Sequence, residues 1–139
     1  MFVFICMSVY AKNQIDGISL IRVGNDWHEI TAYSTRILCP HLCNGISIGD
    51  VMRQIDSMLN KGDTIVFFSQ NDRDMFIYFA IKCRVHLKIG KRSLIDRENM
   101  IKPSSLEELQ LCISKIVGTG ITTQKYNKML SLNVKPGKL

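Results

Sequence analysis

The sequence predicts an α/β fold in which helices cover the faces of a mixed β-sheet. Three β-rich segments separated by short turns open the 139-residue chain, and strand-like and helical apolar patterns then alternate. Three strands in a meander, followed by alternating helices and strands, are typical of a single mixed sheet. The chain is 46% hydrophobic, which is enough to form the core of one domain.

The first three segments predict an antiparallel meander. Residues 2–10 are apolar and rich in strand-forming side chains, and a turn follows at residues 12–17. The stretch GISLIRV, residues 17–23, predicts the second strand, and GNDW predicts a tight turn. The stretch HEITAYSTRIL, residues 28–38, alternates well enough to predict the third strand.

A helix is predicted directly after the meander. Ser47 and Asp50 resemble a capping box, because a serine at the cap can accept the amide hydrogen three residues later. The apolar residues that follow recur at helical spacing: Ile48, Val51, Met52, Ile55, Met58 and Leu59. Residues 60–62 (NKG) are expected to end this helix.

The centre of the chain predicts a buried strand and a second helix. Residues 64–68 form a short continuous apolar run, as expected of a strand buried on both faces. Asn71 or Asp72 is expected to cap the helix that follows. The expected apolar side of that helix carries Met75, Phe76, Phe79, Ala80 and Cys83.

The last part of the domain predicts another strand and another helix. Residues 85–89 (VHLKI) alternate as a strand, which residues 93–95 (SLI) either extend or follow with a short strand of their own. Ser105 and Glu108 form a second capping box, and the third helix should end near Gly118. Residues 1–118 are thus predicted to form the domain, and residues 119–139 a basic C-terminal segment with a short helix that packs on the domain or trails it.

This β-β-β-α-β-α-β-α order is similar to the ribonuclease H-like folds, and the chain resembles a DEDD-type 3′–5′ exonuclease domain of that superfamily. The segment KGDTIVFFSQNDRDMF resembles the second acidic motif of the family, with Asp74 as its aspartate, and SLIDREN resembles the third, with Asp96. In that family four acids hold two divalent metals that activate a water and stabilise the leaving oxygen. The resemblance therefore implies Asp74 and Asp96 as remnant catalytic acids.

The chain departs from that family at the first motif. Cys6 and Ser8 stand where the resemblance requires an Asp-x-Glu pair, and neither is a strong ligand for Mg²⁺. No histidine follows His86, so a general base would have to be a tyrosine such as Tyr126. The departures predict a degenerate, inactive exonuclease-like domain that needs no cofactor.

Two alternatives from the nuclease class remain open. If the chain is an active Mg²⁺- or Mn²⁺-dependent nuclease, the remaining acids must come from elsewhere, and Asp72, Asp16 or Asp26 are the candidates. The passage FFSQNDRDMF is also similar to the strand, Ser-x-Asp and helix of PIN and NYN domains. That family also requires an aspartate at the end of the first strand, which this chain does not show.

The net charge of +6 is unevenly distributed. Seven basic residues lie between Lys82 and Lys102, against Asp96 and Glu98. Clustered positive charge favours polyanions, although it also occurs as a solvated basic surface. From this stretch we assign Lys88, Lys91, Arg92 and Arg97 as candidate nucleic-acid-binding residues.

The five cysteines predict a reduced, intracellular protein. Their number is odd and three of them lie in apolar segments, which favours core thiols over a disulfide framework. A zinc site is a minor alternative, with Cys39, Cys43, Cys83 and His86 as its ligands. No apolar stretch reaches the roughly 20 residues of a membrane span, so no membrane partner is expected.

The leading hypothesis is a domain that binds nucleic acid, as single-stranded DNA or RNA, or binds a protein, on a degenerate exonuclease-like scaffold. The enzyme alternative is an active 3′–5′ exonuclease or another nuclease. A third alternative is an adaptor that binds an acidic protein through its basic C-terminal segment.

Overall fold

A computed structural model describes residues 1–40, 44–86, 92–96, 102–120, 122, 124–126, 128 and 135–136. Within these residues nine elements follow one another: β1 (Phe2–Ala11), β2 (Gln14–Val23), β3 (Glu29–Arg36), α1 (Ile48–Met58), β4 (Thr64–Phe67), α2 (Gln70–Lys82), β5 (Arg92–Ile95), α3 (Leu106–Gly118) and β6 (Lys135–Pro136). Residues 124–126 add a helical turn.

The strands form one mixed sheet in the order β3-β2-β1-β4-β5-β6. β1, β2 and β3 form an antiparallel meander, whereas β4 pairs parallel to both β1 and β5. The helical crossovers α1 and α2 make these parallel pairings possible, because a parallel neighbour cannot be reached through a tight turn. The predicted meander and mixed α/β architecture are confirmed.

Alternating side chains divide the core between the two faces of the sheet. On β1, Val3, Ile5 and Met7 belong to a cluster that includes α1 and α2 residues. Phe2, Phe4 and Cys6 belong to the cluster on the opposite face, which includes α3 and Tyr126. The predicted central position of β4 is also confirmed, because Ile65, Val66 and Phe67 are at most 1% exposed.

Serine side chains cap all three long helices. Ser47 and Ser105 accept the backbone N–H groups of Asp50 and Glu108, as the capping boxes predict. α2 begins earlier than predicted, because its cap is Ser69 rather than Asn71 or Asp72. Ser69 has an extended backbone with φ of −152°, and its hydroxyl accepts the Asp72 N–H at 3.1 Å.

The strand predicted at residues 85–89 is only partly within the described structure. Val85 and His86 lie outside any strand, and residues 87–89 fall outside the described residues. The chain leaves α2 through Arg84, whose φ of +55° turns the backbone away from the helix axis. The strand that pairs with β4 contains the SLI segment instead, at Arg92–Ile95.

Candidate functional site

The first position of interest is Cys6, in the middle of β1. Its side chain is fully buried, and its thiol donates to the backbone carbonyl of Ser105 at 3.6 Å. Burial, together with a smaller contribution from the negative charge of Asp72, raises the pKa of Cys6 from 9.0 to about 12. Cys6 is therefore a protonated packing group that is neither a nucleophile nor a ligand for a hard cation.

The acid with the largest charge effect on Cys6 is Asp72, in the first turn of α2. Burial raises the pKa of Asp72, while its hydrogen bond with Ser69 and the charge of Lys102 oppose that shift. The predicted resemblance to the second exonuclease motif singles out Asp74 instead. Asp74 has a side chain that is 60% exposed; it accepts from Gln70 Nε2 at 2.8 Å and lies 3.7 Å from Arg73 Nη1. Both contacts are with residues of α2, so the Asp74 side chain lies along the exposed surface of that helix.

Asp96 occupies a different environment from Asp74. It follows β5, its backbone N–H donates to the Phe67 carbonyl at 2.8 Å, and it is 5% exposed. Its Oδ2 accepts from the Tyr126 hydroxyl at 2.6 Å. Burial raises the pKa of Tyr126 well above its usual value, and the adjacent Asp96 carboxylate adds to the shift. Tyr126 thus stays protonated and donates to Asp96 rather than acting as a general base.

Within the described part of the chain, Asp74 and Asp96 form no metal-binding group with other side chains. Among the residues that the structure describes, no three histidine, cysteine, aspartate or glutamate side chains are grouped so that they could hold an ion. Of the other acids considered, Asp26 caps the turn after β2 by accepting from the His28 N–H at 3.2 Å. Asp16 lines a groove at the N-terminus of α3.

That groove is a concave surface lined in part by Ser8. It has a volume of about 1330 Å³ and lies where the N-terminus of α3 meets the ends of β1, β2 and β3. Asp16, Arg36 and Glu107 supply charge to its walls. Hydroxyl groups supply much of the remaining lining, from Ser8, Ser19, Ser34, Thr35, Ser104 and Ser105.

Small residues on the three meander strands form the floor of the groove. Ser19 and Ser34 face each other across β2 and β3, and their hydroxyls lie 3.0 Å apart. Gly17 leaves space beside Ser8, because a Cβ there would meet Ser8 Cβ only at ordinary contact distance, 3.5 Å. Small polar side chains thus leave this end of the sheet uncovered. The signal in the sequence is one serine in each of the three meander strands, and the sequence prediction did not use it.

Sequence patterns also failed to predict two buried polar contacts. Arg73 is 8% exposed, and its Nε donates to Ser93 Oγ at 2.6 Å, which ties α2 to β5. Arg22 Nε contacts Asp63 Oδ2 at 2.9 Å, and these side chains are 11% and 3% exposed. The sequence gave no indication that either arginine is buried, because the partner of each lies 20 or more positions away.

Most of the predicted basic and zinc residues cannot be placed. Lys88, Lys91, Arg97 and Cys43 lie outside the described residues, and only the backbone of Arg92 is described, within β5. Cys39 and Cys83 are half-buried free thiols, and His86 is exposed. The nucleic-acid and zinc assignments therefore stay predictions.

No known protein family model matches this chain, and no curated protein matches it in sequence. Among the described residues, none of the helices is both long and apolar enough to traverse a bilayer.

Proposed function

We propose that this chain is a nucleic-acid-binding domain on a ribonuclease H-like scaffold that has lost metal-dependent cleavage. The observation that carries the proposal is Cys6. The exonuclease resemblance assigns this position to a metal-binding aspartate, whereas the side chain here is a buried thiol whose pKa is raised to about 12. A neutral thiol cannot neutralise a divalent cation.

The scaffold part of the proposal rests on topology. A three-stranded antiparallel meander is followed by two parallel strands on the β1 side of the sheet, each reached through a helix. That arrangement is what the predicted β-β-β-α-β-α-β-α order yields when every crossover packs on the sheet.

The binding part rests on the groove and on charge. The groove at the N-terminus of α3 offers hydroxyl donors and acceptors next to Ser8, and Arg36 adds a cation. The carboxylates of Asp16 and Glu107 on the same walls oppose a polyanion. We therefore assign the attraction to the basic stretch between Lys82 and Lys102, and the groove to positioning through neutral contacts.

A binding experiment tests the groove directly. Ser104→Glu adds a negative charge to the groove wall, and Ser57→Glu adds the same charge to the exposed surface of α1. Fluorescence anisotropy with a labelled single-stranded oligonucleotide should show clearly weaker binding for Ser104→Glu than for Ser57→Glu. Equal weakening by both variants would show that the nucleic acid does not follow the groove.

A cleavage experiment tests the loss of activity. Single-stranded and duplex DNA and RNA are incubated with the protein and Mg²⁺ or Mn²⁺, with EDTA as the control. We expect no metal-dependent cleavage above background. EDTA-sensitive hydrolysis that Asp72→Ala or Asp96→Ala abolishes would establish the active nuclease instead.

A further inference from the structure

The groove at the N-terminus of α3 differs in its chemistry from a site that stacks bases. No aromatic side chain is among the described residues that line it. Proteins that hold single strands by their bases use aromatic platforms, on which successive bases stack. The hydroxyl groups of the groove and its one arginine are instead of the kind that contacts phosphate and sugar.

Strand register determines where the cation lies on the groove floor. Ser8 pairs with Gly17, and Gly17 pairs with Arg36, so these three residues form one row across β1, β2 and β3. Ser19 and Ser34 form the next row. Side chains two positions apart on a strand share a face, so Arg36 lies on the same face as Ser34, which α3 partly covers. Neighbouring strands are about 5 Å apart, so the backbone of Arg36 lies about 10 Å from that of Ser8.

Two carboxylates line the same groove. Asp16 is half-buried near the start of β2, and Glu107 is exposed in the first turn of α3. The neighbouring acid, Glu108, has a structural role, because it accepts the Ser104 N–H at 3.2 Å at the helix cap. Among the ion pairs of the described residues, none joins Asp16 or Glu107 to Arg36. The three charged groups thus line the groove without neutralising one another.

The carboxylates restrict which nucleic acid suits the groove. An ionised carboxylate only accepts hydrogen bonds. The sugar–phosphate backbone of DNA offers acceptors alone, so beside it both carboxylates add repulsion and gain no hydrogen bond. RNA carries one further group in each nucleotide, the 2′-hydroxyl, which donates as well as accepts. A ribose can therefore satisfy a carboxylate that a deoxyribose leaves unpaired.

We propose that the groove selects RNA over DNA, with Asp16 and Glu107 accepting hydrogen bonds from ribose 2′-hydroxyls while Arg36 contacts a phosphate oxygen. This inference rests on the proposed nucleic-acid function and adds the sugar that the same groove recognises. The selection has a repulsive part as well as an attractive one, since the same carboxylates disfavour a DNA backbone. The basic stretch between Lys82 and Lys102 supplies the attraction that both nucleic acids share.

The test compares oligonucleotides that differ only at the 2′ position. Oligo-uridylate and oligo-deoxyuridylate of equal length carry the same base, and uracil has no exocyclic amine that could replace the ribose donor. Fluorescence anisotropy at low salt should give a Kd for the uridylate at least about 10-fold below that for the deoxyuridylate, as expected for a hydrogen bond to a charged group. The 2′-fluoro uridylate keeps a ribose-like sugar shape but has no 2′ donor, so it should bind like the deoxyuridylate.

Matched variants locate the selection in the groove. Glu107→Gln removes the charge of a groove carboxylate and keeps an acceptor oxygen, whereas Glu29→Gln makes the same change at an exposed position at the other end of β3 from Arg36. Glu107→Gln should tighten binding of the deoxyuridylate, because the repulsion is gone, and should lower the ratio of the two Kd values at least about 3-fold. Asp16→Asn should lower that ratio as well. Glu29→Gln should leave it unchanged.

The possible failures separate this inference from the proposed function. Equal Kd values for the uridylate and the deoxyuridylate would overturn the selection of RNA and leave the nucleic-acid function in place. A 2′-fluoro strand that binds as tightly as the uridylate would also overturn it, because sugar shape rather than the hydroxyl donor would then decide. So would a ratio that neither Glu107→Gln nor Asp16→Asn changes. Undetectable binding of every strand at low salt would overturn the proposed function itself, and the selection of RNA with it.

Discussion

The Tyr126 hydroxyl donates to Asp96 Oδ2 at 2.6 Å, although 30 positions separate the two residues. Tyr126 is 1% exposed; its ring packs edge-on against Phe2 at 5.3 Å and against Trp27 at 5.4 Å. The contact holds the C-terminal segment on the α3 side of the sheet and places a donor on the acid that follows β5.

Removal of this hydroxyl should destabilise the fold. Tyr126→Phe keeps the ring but takes a hydrogen bond away from a buried carboxylate, which costs about 1–3 kcal/mol. The free energy of unfolding is measured by urea denaturation. Tyr78→Phe is the control, because Tyr78 is 54% exposed and its change should stay within about 0.5 kcal/mol. Equal effects of the two substitutions would mean that the Asp96 contact contributes nothing to stability.

The Arg22–Asp63 ion pair should matter far more than an exposed pair at similar distance. Asp63 accepts from Arg22 at 2.9 Å and from the Asn60 N–H at 2.9 Å, with its side chain 3% exposed. Asp63→Ala would leave a buried guanidinium without this carboxylate and should cost about 3–5 kcal/mol.

The control for this pair is Arg53→Ala. Arg53 contacts Asp50 at 2.5 Å, but both side chains are more than half exposed, so the loss should be at most about 1 kcal/mol. Urea denaturation of both variants measures the difference. A cost for Asp63→Ala no larger than that for Arg53→Ala would contradict the structural role of the buried pair.

The Cys6 thiol should make stability depend on alkaline pH. Its pKa is raised from 9.0 to about 12 in the folded chain, so the unfolded chain releases this proton first as pH rises. Stability from Cys6 is therefore complete below pH 9 and falls by about 1.4 kcal/mol per pH unit as pH rises toward 12. Other groups titrate in the same range, so Cys6→Ala is the comparison.

The measurement is the free energy of unfolding of both proteins between pH 8 and pH 12, a window set by the two Cys6 pKa values. The Cys6→Ala variant should start less stable and lose less stability as pH rises. Parallel pH curves for the two proteins would show that Cys6 is not desolvated. Alkylation at neutral pH followed by peptide mapping is an independent check: half-buried Cys39 and Cys83 should react before buried Cys6.

The sequence predicted the architecture because local patterns carry that information. The apolar, β-rich run of β1, the alternation in β3 and the capping serines Ser47 and Ser105 are local signals, and all three are borne out. The α2 cap was predicted too late because five polar residues (QNDRD) follow Ser69, and only backbone geometry shows that all five lie inside the helix. Tertiary contacts such as Arg73–Ser93 and Tyr126–Asp96 join distant positions, and no local pattern encodes them.

The candidate site was less predictable than the fold for the same reason. Asp72 and Asp74 differ by two positions on a helix, so they point about 200° apart around its axis. The sequence resemblance favours Asp74, yet the largest charge effect on Cys6 comes from Asp72. Which aspartate faces the sheet depends on where the helix begins, and that in turn depends on the Ser69 cap.

The basic stretch gives the prediction that decides the functional class. If Lys91 and Arg92 contact phosphates, each contact releases condensed counterions, and log K falls with log salt by about 0.7 per contact on single strands. Lys91→Ala combined with Arg92→Ala should weaken binding to all sequences alike and reduce the salt slope by up to about two.

A variant with the same loss of charge separates local contacts from net charge. Lys12→Ala combined with Lys61→Ala removes two exposed cations outside the basic stretch and should leave the salt slope nearly unchanged. Fluorescence anisotropy across a salt series measures both slopes. Equal slopes for the two double variants would show that only net charge matters. Undetectable binding of the wild-type chain at low salt, where screening is weakest, would refute the nucleic-acid function. The basic stretch would then suit an acidic protein partner, because the same cations attract carboxylates as readily as phosphates.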